Sequence, residues 1–435
     1  MPTFLSLPSA VQKFERNDKV VFINPDIPSW LVTNKNGELL LSLCNGSTSM
    51  EDIVDAFAES LGENYRKDAE GFFNEAIASR IFESPTEGSI PVKDERQQLS
   101  LVQLSISEVC NLNCKYCYAT DRREHNKPMT LDDYKAVVDD IVSHFGQVSF
   151  SITGGEPLMN QDCFLIAAYI KSKGCDADLL TNATLLDECN IQKVKEYFTR
   201  VTVSLDGSTK NLHETFRGPH TYDRTQHAIS LLRDYQIPYM LSMTVNKLNI
   251  SDVENMAQKY KGSLNFAPLF PAGNAKNDKD DISITGKQYY QALKQASGVN
   301  PLGYCESTLD EALICRRCKC AIGGAELSIS ASGDVYPCQL LHYPEFLIGN
   351  IHERKVSEMV SGSPVIERCA KMTVDNIEGC STCAIKYICG GACRARSFHE
   401  GGDIMSSSPF CEYEKEAFID GIIEIYSKNA LSDLH

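Results

Sequence analysis

The sequence predicts an α/β protein: a partial (β/α)6 barrel, preceded by a winged-helix-like domain and followed by a cysteine-rich domain. Three observations carry that expectation. Apolar runs alternate with helical patterns from residue 101 to 269 at a repeat of 25–45 residues, which implies parallel strands joined by crossover helices. Fourteen of the 18 cysteines fall into two groups, residues 110–117 and 305–411. The first 90 residues hold short extended runs followed by amphipathic helices. At 435 residues the chain exceeds one ordinary core, so two or three domains are expected.

Residues 1–90 form the first unit. V-V-F-I-N-P and S-W-L-V-T-N are its extended runs. An N-G follows, then two helices, one capped at S-T-S-M-E-D (Ser47 to Asp52) and one over roughly Lys67 to Phe82. The charged stretch Val92–Gln98 reads as a linker. In residues 99–299 the strand candidates are Leu101–Ser107, Val148–Thr153, Asp178–Thr181, Val201–Leu205, Met240–Val245 and Leu264–Leu269. Helical patterns such as Leu131–Phe145 and Asp187–Phe198 lie between them. Six strands fall short of the eight that close a barrel. Residues 300–435 are rich in Cys, Gly and turn residues and short of long periodic patterns, so metal is expected to replace a core there.

Composition excludes several classes. Hydrophobic residues at 43% and charged residues at 23% are globular values. A net charge of −16 argues against nucleic acid or an anionic membrane as partner. It would suit a basic partner, although solubility alone accounts for it. Met1 to Lys13 lacks the pattern of a signal peptide, and no apolar run reaches the ~18 residues of a membrane span. The expected location is therefore cytoplasmic. In a reducing compartment so many cysteines do not read as a disulfide framework. Cys44, Cys163, Cys175 and Cys189, scattered through periodic segments, read as small buried hydrophobes.

C-N-L-N-C-K-Y-C-Y-A, Cys110 to Ala119, crowds three thiols onto the loop after the first barrel strand, the face where barrel enzymes keep their chemistry. Zinc ordinarily takes four protein ligands, or three and a water, commonly with His. Three thiolates can instead hold three irons of a [4Fe-4S] cluster and leave the fourth open. With Cys110, Cys114, Tyr116 and Cys117 in the pattern C-x3-C-x-aromatic-C, the segment resembles the radical S-adenosylmethionine (SAM) superfamily. That resemblance implies that the amino and carboxylate groups of SAM complete the coordination. T-G-G-E-P (Thr153 to Pro157) then matches the superfamily's SAM-amino motif, implying roles for Gly154, Gly155 and Glu156. Asn182 in T-N-A-T, Ser204 and Asp206 in S-L-D-G, and Arg217 in H-E-T-F-R-G are expected to hold the ribose and carboxylate. Tyr116 is expected near the adenine.

The tail is similar to the SPASM extension. Cys320, Gly333 and Cys338 are followed by Cys380, Cys383, Cys389, Cys393 and Cys411 at fitting spacings. The resemblance implies two auxiliary [4Fe-4S] clusters, hence three clusters in all. Cys380, Cys383, Cys389 and Cys411 would hold the outer one, and Cys320, Cys338 and Cys393 the inner one. A zinc knuckle over Cys380–Cys393 is the alternative. In C-R-R-C-K-C, Cys315 is favoured over Cys318 as a fourth inner ligand, because four intervening residues leave room for a turn; an open site is the other possibility. The N-terminal extended runs, the segment Asn34–Ser49 and the helix after it resemble a PqqD-like recognition element, in which a precursor peptide's leader adds a strand to a sheet edge. A structural cap is its plain alternative.

Together these resemblances imply a peptide maturase. SAM is cleaved reductively, the 5′-deoxyadenosyl radical takes a hydrogen atom from a ribosomally made precursor, and a crosslink forms, with a Cys sulfur-to-carbon thioether first in order. A flavodoxin or ferredoxin is the implied electron donor. A C–C crosslink, an anaerobic sulfatase-type formylglycine maturase and a non-catalytic iron–sulfur carrier are the other readings. The residues leave the catalytic base unassigned.

Overall fold

The computed structural model describes residues 3–85, 98–120, 128–277, 279–300 and 317–432. Near the N-terminus β1 (Phe4–Ser6) pairs antiparallel with β5 (Asn45–Ser49). Strands β2 (Gln12–Arg16), β3 (Lys19–Asn24) and β4 (Ser29–Thr33) form an antiparallel sheet with β3 in the middle. The period of two in a strand sends alternate residues to opposite faces. Val20 and Phe22 join Leu31, Leu41 and Ile81 on one face, whereas Val21 and Ile23 join Ile385, Ile388, Phe418 and Ile419 from the far end of the chain. Three helices follow the extended runs: α1 (Lys35–Leu43), α2 (Met50–Leu61) and α3 (Arg66–Ala78). The first N-G after the extended runs, Asn36–Gly37, lies inside α1. Asn34 Oδ1 starts this helix by accepting from the N–H groups of Asn36 (3.0 Å) and Gly37 (3.1 Å), and Leu40 and Leu41 bury its inner face.

The predicted strands appear as β6 (Leu101–Ser107), β7 (Ser149–Gly154), β8 (Ala177–Thr181), β9 (Arg200–Ser204), β10 (Tyr239–Val245) and β11 (Leu264–Pro268). They are parallel and lie side by side in chain order. Their fully buried Leu104, Phe150, Ile152, Leu179, Val201 and Leu241 fill the main core. The sheet does not stop at six. β12 (Glu326–Ile329) pairs parallel with β6 at the other edge, and β13 (Asp334–Tyr336) and β14 (Gly349–Asn350) extend it antiparallel to nine strands. The cysteine-rich region is therefore knitted into the barrel sheet by main-chain hydrogen bonds. This carries Ser330 and Ala331 to the mouth formed by the ends of β6 and β7.

A second departure closes the chain. The tail, read as short of periodic structure, ends in a helix over Cys411–Ser432. Phe418, Ile419 and Ile422 of this helix pack beneath the N-terminal sheet, and Arg16 reaches Asp420 (3.1 Å) and Glu416. Among the described residues no helix is long and apolar enough to cross a membrane.

Candidate cofactor and iron–sulfur centre

The loop that carries Cys110, Cys114 and Cys117 leaves the end of β6 and is fastened from three directions. Asn274 donates from its main chain to the Cys117 carbonyl (3.0 Å) and from Nδ2 to the Cys114 carbonyl (2.9 Å). Gly273, at φ +58°, permits this approach, since a Cβ there would lie 2.1 Å from the Cys117 oxygen. From β8, Asn182 Nδ2 reaches Asn111 Oδ1 (2.9 Å) and the Cys110 sulfur (3.9 Å), while Asn111 Nδ2 reaches Thr184 (2.8 Å). Sequence reasoning named Asn182 but missed Asn111, Gly273 and Asn274; their signal is a position on the neighbouring chain, invisible in one dimension.

The Gly-Gly turn braces the same loop. Gly155 N–H donates to the Ser107 carbonyl (2.6 Å) and Glu156 N–H to the Val109 carbonyl (2.9 Å). A Cβ on Gly154 would stand 2.2 Å from the Ser107 oxygen, and one on Gly155 2.4 Å from the Val109 oxygen. Both glycines are thus required by the close approach of β7 to the root of the cysteine loop. Glu156 is fully buried, accepting from Thr181 Oγ1 (2.7 Å), Asn182 N–H (2.9 Å) and Leu158 N–H (3.2 Å). Burial raises its pKa against those bonds.

Tyr116, Asp206 and Arg217 come together, but facing inward. Asp206 is wholly buried; its Oδ2 accepts from the Tyr116 hydroxyl and from Arg217 Nε, and its Oδ1 from Thr244 N–H (3.0 Å). Arg217 Nη2 also donates to the Tyr116 hydroxyl (2.9 Å). Burial opposes the Arg217 charge, yet Asp206 holds its pKa well above the ordinary value. The Tyr116 ring packs on Phe216 at 5.8 Å between centroids. These three polar groups satisfy one another and lock the cysteine loop to the helix Lys210–Arg217. Ser204 stands at the end of β9, opposite Ser242 of β10.

The mouth between β6, β7 and the C-terminal region is a cleft lined by Ser105, Ser107, Thr153, Ser330, Gln339 and His342, with Gly154 and Gly155 in its wall. His342 is held rigidly there. Its ring stacks on Tyr336 (4.3 Å, 15°) and its Nε2 lies 2.8 Å from Ser328 Oγ.

Downstream thiols gather in two sets. Burial pushes the Cys338 thiol well up, with Glu326, Cys393 and Cys320 adding to the effect. Cys393, raised to about 11 by burial, is acted on by Cys320 in turn. Cys411, also raised to about 11 by burial, is acted on by Cys383 and Cys380; Cys389 is acted on by Cys411 and Cys380. Cys320, Cys338 and Cys393 pack around one group of buried side chains that also holds Cys369, and Cys380, Cys383, Cys389 and Cys411 are linked by the charge effects just given. Cys315 lies outside the described residues. Cys318 packs with Val374, Ile377, Cys380 and Tyr387, on the side of the second set. Among the described residues no three His, Cys, Asp or Glu side chains converge on a single metal ion.

Three thiols on one loop, braced by glycines that bring two strand ends together, suit a cluster with one open iron better than a closed four-ligand site. The site and fold define a radical SAM enzyme centre with an iron–sulfur extension. Comparison agrees: the Radical SAM superfamily pattern matches residues 104–260, and the iron–sulfur cluster-binding domain, SPASM, matches residues 320–384. The chain carries both domains and is an oxidoreductase-type radical SAM enzyme that binds SAM and iron–sulfur clusters. Among similar proteins, an AdoMet-dependent heme synthase of Methanosarcina barkeri is 27% identical over 72% of this chain and 96% of its own. The antilisterial bacteriocin subtilosin biosynthesis protein AlbA of Bacillus subtilis is 28% identical over 65% of this chain and 64% of its own. Of solved structures, anSMEcpe with bound AdoMet shares the fold at a TM-score of 0.62 and 21% identity, covering 77% of this chain and 100% of that one. Streptococcus suis SuiB bound to its precursor peptide SuiA shares it at 0.58 and 14% identity, covering 94% and 99%.

Proposed function

We propose that this protein is a peptide maturase that installs a crosslink, a Cys sulfur-to-carbon thioether, in a ribosomally made precursor. The N-terminal unit carries the reading. The likeness to SuiB, which covers 94% of this chain and so extends into that unit, supports the reading, because that structure was solved with its precursor peptide. In this reading the unit is a PqqD-like, winged-helix-like recognition domain. An edge of its sheet, such as β2, whose residues alternate half-buried and exposed, takes the leader as an added strand. The cleft fits the same reading, since the hydroxyls of Ser105, Ser107, Thr153 and Ser330 and the amide of Gln339 are partners for main-chain N–H and C=O groups.

Cys110, Cys114 and Cys117 are assigned to the initiating cluster, Cys320, Cys338 and Cys393 with Cys315 to the inner auxiliary cluster, and Cys380, Cys383, Cys389 and Cys411 to the outer. This makes three [4Fe-4S] clusters. When bound, they supply the electron that cleaves SAM and take up the one released as the bond forms. The chain's part is positional. Asn182 and Asn274 fix the loop thiols, the Gly154–Gly155 turn opens room beside them for SAM, and the cleft orients the peptide. Overall a C–H and an S–H become a C–S bond, one hydrogen leaving as an atom to deoxyadenosine and the other as a proton with an electron. A flavodoxin or ferredoxin is the proposed donor.

The heme synthase relative favours a second reading, in which the enzyme acts in making a heme. Anaerobically reconstituted enzyme, SAM and reductant, offered a Cys-bearing peptide encoded beside the gene, separate the two. The expected product is lighter by two hydrogens, has lost its alkylatable thiol and forms with 5′-deoxyadenosine; replacing Cys110, Cys114 or Cys117 by Ala abolishes both. Turnover on an iron tetrapyrrole with none on the peptide would reverse the assignment.

A further inference from the structure

His213 is fully buried on the helix Lys210–Arg217, four residues before Arg217 and on the same face of that helix. Asp206 meets both side chains. Its carbonyl accepts from Asn249 Nδ2 (3.1 Å), its Oδ1 from Thr244 N–H (3.0 Å) and its Oδ2 from Tyr116 and Arg217. The remaining polar group of Asp206 is its main-chain N–H, which donates to His213 Nδ1 (3.3 Å). Gly207 permits this approach, since a Cβ there would stand 2.9 Å from the His213 main-chain nitrogen. A neutral imidazole that accepts at Nδ1 carries its proton on Nε2. Here Nε2 is sealed from water and has no hydrogen-bond partner among the described residues, and the ring meets Tyr222 edge-on, at 5.7 Å between centroids and 64°. Tyr222 is pinned in turn, its hydroxyl donating to the Ser208 carbonyl (2.7 Å) and accepting from Lys259 Nζ (2.9 Å). Turning the His213 ring over would set a C–H against the Asp206 N–H and leave that buried donor unpaired. A second proton would set one N–H against another. Burial, with the Arg217 charge beside it, lowers the His213 pKa to about 4, while Asp206 and Glu214 act in the opposite direction.

We propose that His213 is a positioning residue of the SAM site: held as the neutral Nε2–H tautomer, it fixes the Asp206 main chain and, through it, the grip of Asp206 on Tyr116 and Arg217. Tyr116 lies between Cys114 and Cys117, so a shift of Asp206 passes directly into the loop that carries the three thiols. His213 acts on that loop without touching it. A group that positions SAM in the ground state and in the transition state alike changes KM and leaves kcat. This role belongs to SAM cleavage and holds for any substrate.

The test pairs two amide variants with a spectroscopic readout, all on the full-length, anaerobically reconstituted protein. In His213→Asn the amide oxygen takes the place of Nδ1 and still accepts from Asp206 N–H; in His213→Gln it takes the place of Nε2 and does not. With dithionite as reductant and 5′-deoxyadenosine as the product followed, His213→Gln is expected to raise the KM for SAM at least about tenfold, with kcat and iron per chain unchanged. His213→Asn recovers a KM within about threefold of the natural protein. Nitrogen-15 NMR of histidine-labelled protein at neutral pH, with the His213 signals identified by their loss in His213→Asn, is expected to show a neutral ring protonated on Nε2. An unchanged KM in His213→Gln, an equal rise in both variants, a fall in kcat in place of the rise in KM, or a His213 ring that is doubly protonated or protonated on Nδ1 would each overturn the proposal. Should His213→Gln lose iron, the KM of His213→Asn and the tautomer decide by the same criteria.

Discussion

Arg217 illustrates how a polar residue near a cofactor centre can serve the protein's own interior. The resemblance assigns it to SAM, and in the structure its guanidinium is engaged by Asp206 and Tyr116. Removing one partner of a buried pair leaves the other charge unmatched, at a cost of about 3–5 kcal/mol. Arg217→Met should therefore lower the melting temperature of the metal-free chain, and Asp206→Asn in the same background should recover part of the loss, because the carboxylate left behind is what hurts. A contact made only to bound SAM would leave the metal-free melting temperature alone. Thermal denaturation of the two variants without cofactor separates the roles, and SAM affinity of the reconstituted Arg217→Met protein then reports any direct contact.

At the scale of elements, the parallel strands were legible because each is an apolar run long enough to be buried on both faces, such as V-S-F-S-I-T, which appears as β7. Strand β12 was not. Its four residues, E-L-S-I, are too short for a periodicity, and their partner is Leu101–Leu104, more than 200 residues earlier. Helix α1 was hidden by an N-G that is a turn signal in isolation, overridden once Asn34 caps the turn and Leu40 and Leu41 are buried. The cysteine spacings were legible because each loop's ligands are local in sequence, whereas Asn274 was not, since it acts across the barrel mouth. The C-R-R-C-K-C segment shows the same limit: spacing weighed Cys315 against Cys318, while only packing puts Cys318 beside Cys380 and Tyr387. Cys318→Ala should accordingly keep full iron and activity, whereas Cys315→Ala should lose about four irons per chain, one cluster's worth. Iron counting on both variants checks it, and full loading of Cys315→Ala would favour an inner site with one open iron.

For the molecule as a whole, the N-terminal unit and the outer thiol set are parts of one packed body. Val21, Ile23 and Val32 share a core with Ala384, Ile385, Ile388, Phe418, Ile419 and Ile422, while Cys383 and Cys389 pack against its edge. Gln12 Nε2 donates to the Thr382 carbonyl (3.2 Å), one residue from Cys383, and Arg16 reaches the helix that begins at Cys411. Under the proposed function, a unit joined in this way would hold a bound leader in fixed relation to the clusters, so that the modified segment reaches the barrel mouth from a defined start. The same joining means that removing residues 1–90 is not a clean subtraction. It would strip cover from Ile385, Ile388, Phe418, Ile419 and Ile422, each worth about 1.5–3 kcal/mol when buried, and the loops they support carry three of the outer thiols. The shortened protein should therefore lose about four irons per chain and melt lower, while the initiating cluster, held by β6, β7 and β8, still cleaves SAM. A change confined to docking needs the intact chain. A photocrosslinking residue at exposed Lys13 on β2 should capture the precursor's leader, and one at exposed Glu59 on α2 should not. Full iron and an unshifted melting temperature in the shortened protein would show the N-terminal unit to be a separable module, and capture at Glu59 but not Lys13 would move the leader off the sheet edge.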